Sequence, residues 1–479
     1  MQKSDKGWIF GGILLLLLLI MAVVMNVTSE QTNTQKIVGT IETDYGDLKI
    51  NWERYPTYDI GLTGSLTITD SGTYHITGTL EDGLITVKAN HDTGKVRLIL
   101  DNVSIKNSSG PAIACYSADD LVIELVGENY LEDGAKYSAD FDEDVVGAIY
   151  SKDDLTFQGE GSLTVTANFQ DGIVGKDDLK FNSGTYYITA ADDGIRGKDS
   201  VYIVDGHFAI TARGDGIKSS NDTDRGKGFV LIESGEISIS SGDDGIHAEQ
   251  RLVIKGGKVT IEESYEGLEA RVIAISGGEI SVRASDDGIN AGGGADTTTT
   301  NQRMGAFDAD ESAMIIIDGG EIYVNAAGDG IDSNGYVYFN GGKVIVDGPT
   351  NNGNGALDAG IGIIMNGGEA VAVGASGMAE SLGENSTIYN ISVYFASNQS
   401  AKTKISIKNS AGEMILEHTS AKAFNHLAAG SEKFKTDETY TIYINDEKYT
   451  DFTISSTTTM IGNTTQNRNN NQNMMNNRR

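Results

Sequence analysis

The chain is poor in cysteine and in positive charge. Its 479 residues include a single cysteine, Cys115. One cysteine excludes an intrachain disulfide, so the stability of the fold has to come from packing or from bound metal. Only 36 Lys and Arg stand against 68 Asp and Glu, which gives a net charge of −32. Such a surface repels nucleic acid and attracts divalent cations, so we expect no nucleic-acid partner.

The motifs of common enzyme classes are also missing. The six histidines are scattered along the chain, and no Ser-His-Asp arrangement or zinc-ligand spacing occurs. No glycine-rich loop is followed by Lys-Ser or Lys-Thr, as a phosphate-binding loop requires. The many acids do not single out the carboxylate pair of a glycoside hydrolase. We therefore expect a binding protein rather than an ordinary soluble enzyme.

One long apolar run lies near the N-terminus. Lys3 and Lys6 precede the apolar segment Trp8–Val27, which is an arrangement typical of an export signal. The run approaches the roughly 20 residues that span a bilayer, and no small-x-small cleavage site follows it. The positive flank places the rest of the chain outside the membrane. Residues 1–36 are thus expected to form a signal or membrane anchor with a linker, and the protein is expected at the cell surface.

Glycine is abundant, with 60 residues, and it marks an internal repeat. An acidic-Gly-apolar step recurs about every 22 residues, with two longer intervals. The steps are Asp171-Gly172-Ile173, Asp193-Gly194-Ile195, Asp215-Gly216-Ile217, Asp244-Gly245-Ile246, Glu266-Gly267-Leu268, Asp287-Gly288-Ile289 and Asp329-Gly330-Ile331. A second series of glycines, such as Gly257 and Gly278, precedes short alternating strands. This pattern fits coils of a parallel β-helix, whose strands pair between coils at about 4.8 Å.

Linked motifs within the repeat carry a resemblance to a known family. They are Gly147-Ala148-Ile149-Tyr150-Ser151-Lys152-Asp153-Asp154-Leu155-Thr156, Asp171-Gly172-Ile173-Val174-Gly175-Lys176-Asp177-Asp178-Leu179 and Asp192-Asp193-Gly194-Ile195-Arg196-Gly197-Lys198-Asp199. Over about residues 60–375 the chain resembles a bacterial carbohydrate-binding domain family built on a β-helix. The resemblance implies export, a helix like that of pectate lyases, calcium in the fold, and affinity for plant-type polysaccharides, including acidic, pectic ones. The insertion near 292–304 departs from the family pattern.

The repeat and the resemblance together predict an all-β fold. We expect a right-handed parallel β-helix with coils of about 22 residues over residues 37–380. The period is lost in residues 381–458, where a small antiparallel β domain is expected to cap the last coil, because a free sheet edge invites aggregation. The Asn- and Gln-rich segment 459–479 lacks apolar content and is expected to be a disordered tail. We expect a monomer.

The residue after each apolar step alternates with a buried one and is expected to point outward. This column reads Val174, Arg196, Lys218, His247, Glu269, Asn290, Asp332 and Asp358, with Asp308 in the same set or in a neighbouring loop. Stacked carboxylates repel one another unless a cation lies between them, and Ca²⁺ takes six to eight oxygen ligands. The expected calcium ligands are Glu266, Glu269, Asp287, Asn290, Asp308, Asp329, Asp332 and Asp358. For Asp171, Asp193 and Asp215 we favour the interpretation that each side chain accepts backbone hydrogen bonds in its local turn.

The basic half of the same column suggests the carbohydrate contacts. Arg196, Lys218 and His247 are expected to hold the carboxylate of a uronate sugar while calcium bridges another. The same groups would suit β-elimination, with Lys218 or Arg196 as the base. The third hypothesis is that these three residues are only a row of solvated charges. Three classes of function therefore remain open: calcium-dependent polysaccharide binding, a polysaccharide lyase, and a structural or adhesion stalk.

Overall fold

The computed structural model describes residues 49–292 and 309–462. In these two stretches the chain forms β-strands and a short 3-10 helix, Trp52–Arg54, and contains no α-helix. Hydrogen bonds join 36 strands into one sheet, and four further strands form a second sheet. The prediction of an all-β fold is therefore confirmed. Residues 1–36, Asp308 and residues 463–479 of the expected tail lie outside the described residues.

Successive coils stack with their strands parallel and in register. Ile173 pairs with Ile195 in the next coil, and Ile195 pairs with Ile217 in the coil after that. Each complete coil contributes one strand to each of three faces, which we call the ladder face, the second face and the third face. The ladder face consists of Leu66–Ile68, Ile85–Lys88, Ile113–Ser117, Gly147–Ser151, Asp171–Gly175, Ile195–Gly197, Ile217–Ser219, the first parts of Ile246–Ile254 and Leu268–Ile275, Ile289–Ala291, Ile331–Ser333 and Leu357–Ala359.

The other two faces follow along each coil. The second face consists of Thr57–Gly61, the first parts of Gly72–Leu80 and Lys95–Lys106, Asp120–Val126, Leu155–Gly159, Asp178–Phe181, Ser200–Ile203, Phe229–Ile232, the second parts of Ile246–Ile254 and Leu268–Ile275, Met314–Ile317, Tyr336–Phe339 and Gly362–Met365. The third face consists of the second parts of Gly72–Leu80 and Lys95–Lys106, Glu128–Glu132, Ser162–Ala167, Thr185–Ala190, His207–Ala212, Glu236–Ser240, Lys258–Ser264, Glu279–Ala284, Glu321–Ala326, Lys343–Asp347 and Glu369–Gly374.

The core lies inside the stack of coils. Alternate residues of each strand point inward, so the same apolar position is occupied by a buried residue in every coil. Ile195, Ile217 and Ile246 are aligned in this way, and each is fully buried. Full burial of one such side chain contributes about 1.5–3 kcal/mol. The apolar residue of each acidic-Gly-apolar step is thus the part of the repeat that holds the coils together.

The second glycine series supplies the turns before the third-face strands. Gly257 has φ +84, a conformation that side-chain-bearing residues rarely adopt. A Cβ atom at Gly257 would lie 2.7 Å from the carbonyl oxygen of Gly235 in the preceding coil. Both the turn and the close approach of coils therefore require glycine here.

Residues 381–458 contain the second sheet, which is antiparallel. Its strands, in order, are Met414–Thr419, Lys404–Asn409, Thr439–Ile444 and Glu447–Thr453. Three more strands of this region join the larger sheet, namely Asn390–Gln399, Phe424–Ser431 and Thr458–Ile461. Residues 459–461, which the sequence assigns to the tail, thus belong to a strand.

The third face of the parallel stack is paired at its end. Glu369–Gly374, the last third-face strand, pairs antiparallel with Phe424–Ser431, so its hydrogen-bonding edge is not free. Asp347 in the preceding coil is buried and lies 2.8 Å from Nε2 of His418, and its carboxylate accepts a hydrogen bond from Oγ of Ser420 at 3.1 Å. These contacts tie the antiparallel region to the last coils.

The expected membrane anchor requires a correction. Among the described residues, no helix combines the length and the apolar character needed to cross a membrane. The segment Trp8–Val27, on which that expectation was based, lies outside the described residues. The assignment to the cell surface through an N-terminal anchor is therefore not supported.

Aromatic stacking inside the coils provides a test of the core. The rings of Phe157 and Phe181 lie 5.0 Å apart at an angle of 6°, and both side chains are fully buried. Phe181→Ala is expected to destabilise the protein by about 3–5 kcal/mol, because it opens a cavity in the stack. Urea unfolding measures this change. Tyr187→Ala is the control, because Tyr187 is 51% exposed on a neighbouring strand; equal losses for the two variants would contradict the assigned core.

Candidate functional site

The outward column of the ladder face is continuous in the structure. Parallel pairing places these eight residues opposite one another in successive coils: Val174, Arg196, Lys218, His247, Glu269, Asn290, Asp332 and Asp358. Its beginning is covered, because Val174 and Tyr150 pack with Val145 and Val146 of the preceding loop. The accessible part of the column therefore starts at Arg196.

The acids that precede glycine form a second row on this face. This acid row consists of Asp171, Asp193, Asp215, Asp244, Glu266, Asp287 and Asp329. Oδ1 of Asp193 accepts a hydrogen bond from the backbone N–H of Asp215 at 2.9 Å, and Oδ1 of Asp215 accepts one from Asp244 at 2.9 Å. These bonds reach the next coil and not the local turn, which corrects the expected role of Asp171, Asp193 and Asp215. The other carboxylate oxygen of each aspartate remains available to the outward column.

The basic half of the outward column neutralises the acid row. Nη2 of Arg196 lies 2.6 Å from Oδ2 of Asp171, and Nζ of Lys218 lies 2.7 Å from Oδ2 of Asp215. Burial raises the pKa of Asp171 to about 6, against the opposing effect of Arg196. Internal carboxylates therefore already pair with Arg196 and Lys218, and the expected contact of these two residues with a glycan stays a prediction.

His247 lies inside a cluster of acids and is only 1% exposed. Its Nδ1 is 3.1 Å from Asp244 and 2.6 Å from Glu269, and its Nε2 is 3.5 Å from Glu249. Burial alone would lower the pKa of His247, but the three carboxylates raise it to about 12. The histidine is thus an internal cation and not a surface contact, and Glu269, an expected calcium ligand, is already paired with it.

The acidic half of the column is arranged differently. Asp287, Asp329 and Asp332 each offer one carboxylate oxygen, and these oxygens lie within 4.8 Å of one another. Burial, and after it the neighbouring carboxylates, raises the pKa of Asp332 to about 8. Burial likewise raises the pKa of Asp329 to about 7 and that of Asp287 to about 6. Among the described residues, no ion pair involves these three carboxylates.

Three further residues surround this group. Asp358 lies opposite Asp332 in the next coil. Burial, followed by the charges of Asp358 and Asp329, raises the pKa of Glu380 to about 8, so Glu380 is within electrostatic reach of both. Oδ1 of Asn290 is buried and has no hydrogen-bond partner among the described residues, while its Nδ2 donates to Glu266 at 2.9 Å. We call Asp287, Asp329, Asp332, Asp358 and Glu380 the acidic cluster.

Glu380 is the member of the cluster that sequence reasoning missed. It follows the last third-face strand, where the repeat has ended, so no spacing connects it to the column. Of the other expected calcium ligands, Glu266 contacts Asn290, and burial raises the pKa of Glu266 to about 9. The expected ligands among the described residues thus form two groups. Glu269 contacts His247 and Glu266 contacts Asn290, whereas Asp287, Asp329, Asp332 and Asp358 belong to the acidic cluster.

Comparison with known proteins identifies the family. The model of the carbohydrate-binding domain-containing protein family matches residues 63–312, which is more than half of the chain. The chain belongs to this carbohydrate-binding family.

Parts of the chain are similar to two known proteins. A carbohydrate-binding domain-containing protein from Acetivibrio thermocellus is 39% identical over 127 residues. That match spans 26% of this chain and 44% of the relative, and so less than half of the relative's length. A solved structure of a polysaccharide lyase-like protein from C. thermocellum, a gadolinium derivative, is 32% identical and covers 46% of this chain and 91% of its own, with a TM-score of 0.38.

The buried ion pairs of the ladder face provide a test. Lys218→Met is expected to destabilise the protein by about 3 kcal/mol, because it leaves the buried carboxylate of Asp215 without its cation. Adding Asp215→Asn is expected to restore most of the loss, since the amide oxygen can still accept the bond from Asp244. Urea unfolding at pH 7 measures both variants. Lys258→Met, at an exposed pair 3.9 Å from Glu279, is the control; a loss as large there would contradict the assignment.

The acidic cluster predicts an unusual pH dependence in metal-free protein. Burial raises the pKa values of Asp287, Asp329 and Asp332 to about 6, 7 and 8 from the ordinary aspartate value of 3.8. The folded state therefore binds more protons than the unfolded state between about pH 4 and pH 8. The contribution of these groups to stability is therefore present at low pH and is lost as the pH rises through this window.

Urea unfolding in chelator at pH 5 and pH 8 tests this sign. Asp332→Asn is expected to be more stable relative to wild type at pH 8 than at pH 5. Glu279→Gln is the matched control, since Glu279 is exposed on the third face of the same coil as Asp287. An Asp332→Asn effect that is the same at both pH values would show that this group does not titrate as described.

Proposed function

We propose that this protein binds polysaccharide along the ladder face in a calcium-dependent manner, with a preference for acidic, pectic glycans of plant type. The observation that carries the proposal is the centre of the acidic cluster, where the half-buried carboxylates of Asp287, Asp329 and Asp332 lie together and form no ion pair among the described residues. Membership of the carbohydrate-binding family supports the glycan part of the proposal. The calcium part rests on the chemistry of the side chains.

The cluster suits a hard divalent cation. Ca²⁺ takes six to eight oxygen ligands at about 2.3–2.6 Å and tolerates irregular geometry, whereas Mg²⁺ demands shorter, near-octahedral coordination. Carboxylate oxygens within 4.8 Å of one another, as in Asp287, Asp329 and Asp332, can share one ion at such distances. Asp358, Glu380 and the unpartnered Oδ1 of Asn290 provide additional oxygens. A cation here would also offset the repulsion that, after burial, raises the pKa values of the cluster.

A bound ion would explain how a chain with a net charge of −32 binds an acidic polymer. The ion reverses the local sign of the charge, and its open coordination positions accept a uronate carboxylate. Arg196 and Lys218 form ion pairs with the acid row, and these neutralised pairs make up the surface next to the proposed ion site. His247 is excluded from glycan contact by its burial.

Binding is favoured over lyase chemistry by the state of the expected bases. A general base for β-elimination has to be neutral and to lie beside the proton it removes. Arg196 and Lys218 are instead engaged in ion pairs with buried aspartates. A plain structural stalk, in turn, has no need for the close approach of the carboxylates of Asp287, Asp329 and Asp332.

For the fold that carries this site, we propose a right-handed parallel β-helix over residues 37–380 and a small capping domain over residues 381–458. Parallel strand connections are right-handed in nearly all known sheets. The antiparallel pairing of Glu369–Gly374 with Phe424–Ser431 supports the capping role.

Calcium titration tests the metal site. Calcium is expected to raise the melting temperature of chelator-treated protein. At one hundred times its Kd it should add about 2.7 kcal/mol to the free energy of unfolding. Magnesium is expected to have a smaller effect. Asp329→Asn combined with Asp332→Asn should abolish the calcium response, because it removes two ligands from the centre of the cluster. Glu279→Gln should leave the response intact. Calcium stabilising the double variant as much as the wild type would rule out the cluster as the site.

Glycan retention tests the proposed function directly. Polygalacturonate in an affinity gel is expected to retard the protein with calcium and to retard it much less with chelator, and the double variant should resemble the chelated wild type. Incubation with the polymer should release no unsaturated sugar absorbing in the ultraviolet. Retention that ignores both calcium and the double substitution would remove the cluster from the binding site.

A further inference from the structure

Three lysines occupy the same turn in three consecutive coils. They follow the ladder-face strands in the repeated Lys-Asp motif, at Lys152, Lys176 and Lys198. The backbone N–H of Lys176 donates to the carbonyl of Ser151 at 2.9 Å, and that of Lys198 donates to Gly175 at 2.8 Å. The three residues are therefore stacked at the coil spacing of about 4.8 Å. We call them the lysine strip.

The strip is an uncompensated positive charge in a strongly acidic protein. Across the part of the chain that the structure describes, no ion pair or side-chain hydrogen bond involves the ammonium group of any of the three. Lys152 and Lys198 are exposed and Lys176 is half-buried. This contrasts with Arg196 and Lys218 in the adjacent column, which are paired with Asp171 and Asp215.

Two of the aspartates that follow the lysines, Asp153 and Asp199, are engaged elsewhere. Asp153 accepts a hydrogen bond from the N–H of Ala118 at 2.9 Å and lies 3.1 Å from Nδ1 of His91. Asp199 forms an ion pair with Lys227 and accepts a bond from Asn221 at 2.7 Å. The contacts of Asp153 and Asp199 are thus made with partners other than the lysine strip.

The environment of Lys176 shows the same excess of positive charge. Burial, followed by the charges of Arg196 and Lys198, lowers the pKa of Lys176, and Asp144 and Asp171 offset this only in part. A bound anion would lower the free energy of this arrangement, because it would supply the missing opposite charge.

We propose that the lysine strip binds the carboxylate groups of a uronate polymer directly, without calcium. The inference extends the proposed function, on which it rests for the class of ligand. The strip lies beside the ladder-face column, and the coil of Arg196 is four coils from that of Asn290, or about 19 Å along the stack. One polymer chain lying along the stack therefore reaches the strip at one end and the acidic cluster at the other, and its repeated carboxylates match a repeated row of ammonium groups.

The test compares two triple variants of the full chain in chelator. Lys152→Gln/Lys176→Gln/Lys198→Gln removes the strip, and Lys258→Gln/Lys343→Gln/Lys433→Gln removes the same charge from other parts of the surface. The probes are polygalacturonate and its methyl-esterified form, which lacks the carboxylate charge. We expect wild type and control to bind polygalacturonate, more weakly as salt rises, and the strip variant to lose about tenfold or more in affinity. None should bind the ester comparably.

The outcomes separate this inference from the proposed function. The proposed role of the lysine strip would be contradicted if the strip variant and the control bound with equal affinity in chelator. Wild-type binding that requires calcium completely would contradict it as well. A strip variant that still gains affinity with calcium supports both proposals, whereas chelator-resistant binding by wild type with no calcium response supports the strip alone. Urea unfolding checks that the variants are folded. If Lys176→Gln disturbs the fold, the exposed pair Lys152→Gln/Lys198→Gln is used, with the same loss of affinity expected in smaller measure.

Discussion

Parallel stacking in register is the constraint on which the rest of this structure depends. It places the same position of every coil about 4.8 Å from its neighbours, so any ionisable residue that repeats must face its own charge. Apolar positions are stabilised by this stacking, as the aligned isoleucines Ile195, Ile217 and Ile246 show. Acidic positions do not, and the acid row before the glycines therefore needs either cations or protons to be tolerated.

The two halves of the ladder face meet that need in different ways. In the first half the neighbouring column supplies Arg196, Lys218 and His247, and each contacts a carboxylate of the acid row. In the second half the column itself is acidic, and Asp287, Asp329 and Asp332 lie close together with no ion pair in the described part of the chain. Outside these rows, the lysine strip keeps positive charge on the early coils. Charge therefore changes along the axis of the stack, which suits an extended polyanion better than a compact ligand.

Much of this arrangement was predictable, because the repeat sets both the period and the alternation. Counting from the glycines was sufficient to align Arg196 with Lys218 and Asp332 with Asp358. Sequence spacing could not show that His247 is enclosed by Asp244, Glu249 and Glu269, since burial depends on how large the neighbouring side chains are. It could not find Glu380 either, because that residue reaches the cluster from outside the repeat. The bonds from each aspartate to the next coil likewise depend on the observed register.

The acidic cluster is costly to the fold, and this cost supports a function for it. Raised pKa values at Asp329 and Asp332 mean that the folded protein resists the charged forms that water would favour. Replacing an acid by an amide would relieve this strain at one position without disturbing the coil. Natural proteins commonly keep such destabilising groups where binding requires them. The paired first half shows that this fold can neutralise its acids internally. Asp287, Asp329 and Asp332 have no such ion pair among the described residues, as the proposed cation site requires.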